Sequence, residues 1–206
     1  MKHFEKILVV GIVLALILKF NQYEGSDLLL LWSLTILAGI YYPLGFLLFN
    51  QIRLRNIFKK SSYRDVSSGQ IVVAVVAGLG LANVCIGVLF KLLVFPGSHN
   101  LIIAGLVIMM ISMVVAVIRI RKYDDRNAPM ISRRLVIAGV LGLVALLIPH
   151  LTIVKFQYRN YPRYIEAYER ADANPKDKTL QKEKQKEYYR MVMSPEQFEK
   201  YEAGSK

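Results

Sequence analysis

Few side chains in this sequence could do chemistry within its apolar stretches: the ammonium of Lys91, the imidazoles of His99 and His150, and the lone thiol of Cys85. Imidazoles titrate near neutral pH, so paired with a lysine they could handle protons or anions. Lys91 stands in "LFKLLVFPGSHNLIIAG", residues 89–105, within one helical turn of the Phe95-Pro96-Gly97 break. From there its ammonium is expected to reach a membrane headgroup region, where a charge costs far less than at mid-bilayer. Pro96-Gly97 stops one helix and reverses the chain. Lys91, Phe95, Pro96, Gly97, His99 and His150 therefore form the candidate functional set. Lys91, His99 and His150 fall at similar depth, either as a cluster or as three independent interface residues. Cys85 has no second thiol for a disulfide or a metal. His3, His99 and His150 lack metal-ligand spacing, and neither H-E-x-x-H nor G-x-S-x-G occurs. No enzyme, metal or cofactor is expected.

The elements that must position these residues are apolar rods. The chain has 206 residues, is 54% hydrophobic and carries 27 Lys and Arg against 15 Asp and Glu, a net charge of +12. Such a charge on one polar face would suggest nucleic acid. Here the basic residues lie between hydrophobic runs, the pattern of a polytopic membrane protein. Five runs stand out, at about 7–20, 28–49, 71–94, 101–118 and 135–154. None alternates as a barrel strand would, and the bilayer leaves no water for unpaired backbone groups, so each must be a helix. The expected fold is all-α: an integral membrane domain of about five transmembrane helices over 1–155, followed by a short polar helical tail over 156–206. The first run resembles a signal peptide but lacks a small-x-small site, and reads as an uncleaved anchor. It is shorter than the ~20 residues of a full crossing, so Lys6 and Lys19 are expected to snorkel outward.

The connections set the threading. One loop carries Arg53, Arg55, Lys59, Lys60 and Arg64 against Asp65. Another carries Arg119, Arg121, Lys122, Arg126, Arg133 and Arg134 against Asp124 and Asp125. The other two connections hold no Lys or Arg. The positive-inside rule puts the basic loops and the N-terminus in the cytoplasm, and five crossings put the tail outside. In the tail, Tyr161, Tyr164, Ile165 and Tyr168 mark an amphipathic helix beginning at Pro162. Asn174-Pro175 ends it, a second helix spans about 177–191, and Ser194 with Gln197 forms a capping box for a third.

Small residues at spacing four mark close helix contacts in lipid. Ala74, Gly78 and Ala82 form such a stripe in the third run, and Ala138 and Gly142 in the fifth; the two helices are expected to be tight neighbours or subunit contacts. Pro43 should kink the second helix near residues 39–42. Trp32 fits an interfacial anchor.

The stretch Gly87-Val88-Leu89-Phe90-Lys91-Leu92-Leu93-Val94-Phe95-Pro96-Gly97, with the apolar helix containing Gly105 after it, resembles the GldL/PorL family. That family comprises inner-membrane components of the gliding and type IX secretion motor, with a pattern near G-A-L-F-K-x-x-H-W-P-G. Lys91, Pro96 and Gly97 match, and Phe95 stands for the family's aromatic. Val94 occupies the family's histidine position, and residues 66–123 hold no Asp or Glu, so the family's proton-driven activity is not implied. What the resemblance implies is a GldL-like hairpin within a non-catalytic accessory or assembly subunit of a bacterial inner-membrane complex. Its tail would be periplasmic, and its partners the lipid bilayer and a membrane or periplasmic protein or a second copy. The alternative is a small transporter or ion-conducting protein using Lys91 and His150.

Overall fold

The computed structural model describes residues 2–50, 52, 54–64, 66–123 and 128–204. Arg53, Asp65, Asp124, Asp125 and Arg126 of the basic loops lie outside the described residues. Among those described, the chain is all helix: α1 (Lys2–Phe20), α2 (Ser26–Phe49), two 3-10 turns, α3 (Ser68–Leu92), α4 (Ser98–Tyr123), α5 (Ala128–Leu147), α6 (His150–Gln157), α7 (Pro162–Ala173), α8 (Lys178–Val192) and α9 (Pro195–Gly204). They fall into two compact units, Met1–Ile148 and Pro149–Lys206.

Four helices, α2 to α5, are long and apolar enough to cross a membrane. This corrects the expected five. The first run does form a helix, but each of its 18-residue stretches contains Glu5, Lys6 and Lys19. A charge costs ~2.5–3.5 kcal/mol at mid-bilayer, so composition alone does not carry α1 across. Nor does Lys19 snorkel freely: its ammonium pairs with Asp27 in the first turn of α2.

At the α4–α5 connection the helices extend past the apolar runs that announce them. Each run reports how much helix suits hydrocarbon, whereas the backbone stays helical into the flanking charges. Thus α4 continues to Tyr123 and α5 begins at Ala128, taking Arg133 and Arg134 into the helix. Ser67 starts α3 with the reciprocal cap its sequence allows: its hydroxyl accepts from the Gln70 amide, and the Gln70 side chain accepts from the Ser67 amide.

In the first unit α3 is central, packing on α2, α4 and α5, while α1 packs chiefly on α2. Small residues set the spacing. A Cβ on Gly78 would fall 2.4 Å from the Tyr41 carbonyl oxygen, and one on Gly45 would fall 3.1 Å from the Gly78 Cα. The Ala74–Gly78 stripe therefore meets α2, while α3 packs on α5 through Val84 against Gly142. Across the α3–α4 seam, a Cβ on Gly105 would lie 2.8 Å from the Val84 nitrogen, and one on Gly87 would lie 2.8 Å from the Ile102 nitrogen. Gly142 of α5 faces Val84 and Leu106, and Ala82 and Ala138 border the same core. Helix α2 runs unbroken through Pro43.

The second unit departs from the sequence reading at its first residues. The run 135–154 is not one helix. Pro149 lacks an N–H and drives Ile148 away from helical backbone, so α5 ends at Leu147 and α6 restarts at His150 with Pro149 as N-cap. The unit boundary thus falls at 148/149, not 155/156. Asp177 caps α8 through the Thr179 and Leu180 amides, and Ser194 and Gln197 form the capping box of α9. On α7 the buried face is Tyr164, Ala167 and Ala171 with Tyr168 half-buried, while Tyr161 is exposed.

Candidate functional site

The α3–α4 turn is built by backbone rules before any side chain acts. The Phe95 amide donates to the Phe90 carbonyl and the Val94 amide to the Lys91 carbonyl. This is a Schellman ending, with Val94 in the left-handed region at φ 60. The apolar contact that accompanies such endings is an edge-to-face pair of Phe90 and Phe95, 5.5 Å between centroids. A β-branched residue at positive φ is strained. Gly97, at φ 83, takes the second left-handed position without that cost. Phe95, Pro96, Gly97 and His99 are all exposed at the tip.

Lys91 does not reach outward as expected. It is buried, 4% exposed, and its Nζ donates to the Leu146 carbonyl at 3.2 Å. That carbonyl stands in the last turn of α5, where helix carbonyls lose their partners because Pro149 stops the helix. The negative end of the α5 dipole also favours a cation there. The lysine of the opening motif is thus a C-terminal cap for a helix far along the chain. His150 belongs to the other unit, where its Nδ1 lies 3.0 Å from the Tyr168 hydroxyl. His99 and His150 are therefore not brought together in one unit.

The strongest polar constellation is one that sequence reasoning missed. Glu5 of α1 is buried and accepts three hydrogen bonds. Arg134 of α5 donates from Nε to Oε1 at 2.9 Å and from Nη2 to Oε2 at 2.6 Å, and the Tyr41 hydroxyl of α2 donates to Oε1 at 2.8 Å. The guanidinium also lies over the Phe49 ring, 5.5 Å from its centroid, and its Nη1 is buried without a hydrogen-bond partner. Both carboxylate oxygens are engaged by donors, two of them from a fork-like pair. The carboxylate thus ties α1 to both α2 and α5. The signal lies in the sequence as a single acid, Glu5, at the edge of the first apolar run.

Between them α2 and α3 form an open groove of about 340 Å³ lined by Thr35, Gly39, Tyr42, Ala82, Asn83 and Ile86. Asn83 donates to the Leu79 carbonyl of its own helix. Cys85 packs beside the buried apolar clusters of the bundle. Among the described residues, no group of three or more His, Cys, Asp or Glu side chains is placed to hold a metal ion.

In the second unit tyrosines take the place of aliphatics. Tyr164 meets Tyr158, Tyr168 and Tyr188, with ring centroids 4.8, 6.0 and 5.9 Å away, and Tyr189 meets Tyr201 at 4.7 Å. Burial pushes the Tyr164 and Tyr168 phenols up to about 12, helped by neighbouring tyrosines and, for Tyr168, by Asp172. Ion pairs join Lys155 to Glu169, Arg170 to Glu183 and Lys186 to Glu202 across its surface.

The chain matches no family model, no curated protein and no solved structure.

Proposed function

We propose that this chain is a membrane-embedded, non-catalytic accessory or assembly subunit of a bacterial inner-membrane complex, with a GldL-like hairpin at α3–α4. The observation that carries the reading is the fate of the buried charges. Among the described residues the buried charged side chains are Glu5 and Lys91, and each ends on a partner within its own bundle. Groups that move ions or protons face a cavity or one another along a path; these two fasten one helix to another. In this reading the basic loops are cytoplasmic, the N-terminus joins them where α1 crosses beside α2, and the mixed-charge second unit faces the periplasm, where it docks a membrane or periplasmic protein or a second copy. The same buried position of Lys91 counts against its use in transport.

Purification of the full chain in a mild detergent, followed by mass identification of what travels with it, tests the proposal. A defined membrane or periplasmic protein, or a stable homo-oligomer, is the expected companion. A sole monodisperse monomer in every detergent refutes the assembly role.

A further inference from the structure

We infer that α1 is a conditional span, lodged in the bilayer only when Arg134 of α5 supplies the countercharge to Glu5. The inference rests on the bundle being membrane-embedded and is independent of any partner.

Length decides the argument. Glu5 and Lys19 are fourteen residues apart, about 21 Å along a helix, while the hydrocarbon core is ~30 Å thick. Both charges therefore cannot clear the core while α1 crosses it. In the bundle these two are matched, while Lys6 lies exposed on the outer face of α1. Lys19 pairs with Asp27, which follows it closely in the chain. Glu5 receives a hydroxyl from Tyr41, but its countercharge comes from Arg134, 129 residues later. Until α5 is in place, α1 carries a carboxyl group that α2 meets with one neutral donor. The dependence is reciprocal, since Arg134 lies seven residues into α5 and is itself largely covered. Gly11 shows that the lodged position is a fitted one: a Cβ there would stand 3.1 Å from the Ser33 hydroxyl of α2.

The test uses the full chain in permeabilised native vesicles and a membrane-impermeant maleimide, with Cys85→Ala as background. Val10→Cys reports the outward face of α1 and Met110→Cys that of α4; both positions are 67% exposed on the bundle surface. In the otherwise native chain both cysteines should stay unlabelled. Adding Arg134→Gln should bring Val10→Cys to the labelling level of the denatured protein and leave Met110→Cys silent. The double variant Glu5→Gln/Arg134→Gln, which removes both charges, should restore protection. Protection of Val10→Cys with Arg134→Gln alone overturns the inference, as does labelling of Val10→Cys in the otherwise native chain. Should Arg134→Gln destroy the whole bundle, Glu5→Lys decides: it sets two cations face to face and must expose Val10→Cys. Labelling of Met110→Cys in every form shows that the bundle is not embedded, which removes the premise shared with the proposed function.

Discussion

The two units solve the same problem, holding helices together, with opposite materials. In Met1–Ile148, glycines and alanines let backbones approach to contact, and the buried charges of Glu5 and Lys91 find partners inside. In Pro149–Lys206, aromatic rings stitch short helices and the charges pair on the surface. The difference follows from solvent. Lipid gives helices no hydrophobic reason to associate, so close packing and internal hydrogen bonds must do it. Water supplies that reason, but a piece of fewer than sixty residues has little aliphatic core to use. Tyrosine gives a large apolar area together with a hydroxyl that tolerates water, and each ring pair adds ~0.5–1.5 kcal/mol.

The contrast breaks most sharply at the α3–α4 seam. Gly105→Val should cost about 3 kcal/mol, because its Cβ would meet the Val84 nitrogen and the Gly80 carbonyl as well as the Val84 side chain. The expected readout in detergent is a lower unfolding temperature for the bundle, seen as earlier reaction of the Cys85 thiol, with the tyrosine signal of the second unit unchanged. Alkali should do the reverse. The Tyr164 and Tyr168 phenols sit above their unfolded value of about 10, at about 12. The neutral forms thus contribute stability that is complete below pH 10 and is lost as pH rises through 12. Tyrosinate absorbance and helicity of the second unit should change together in that window, whereas ionisation at pH 10 without loss of helicity would contradict the burial. The smallest effect belongs to the surface. Lys186→Met, which removes the half-exposed pair with Glu202, should shift the unfolding free energy by less than about 1 kcal/mol, and a larger shift would mean that the pair is part of a wider network.

What could be read in advance divides along physical lines. Apolar runs betray helices because a bilayer tolerates nothing else, and the caps at Asp177 and Ser194 are local, so α8 and α9 begin close to where their sequences indicate. The break at Pro149 was equally local, but the length of the apolar run around it concealed it. Pairings are another matter. The Ala74–Gly78 stripe declares that something approaches closely, yet a stripe carries no address, and α2 rather than α5 takes it. Glu5 and Arg134 are separated by most of the first unit, so no periodicity links them. Lys91 was recognised as unusual for its charge, but its destination, a carbonyl orphaned by Pro149, depends on two features that only the folded bundle joins.

One consequence of the glycine seam concerns motion. Val84 fills the notch at Gly105 while Ile102 and Met109 fill those at Gly87 and Gly80, so neither rod can slide or swivel without lifting off the other. The hairpin behaves as a single stiff blade. Any rearrangement of the bundle must carry α3 and α4 together.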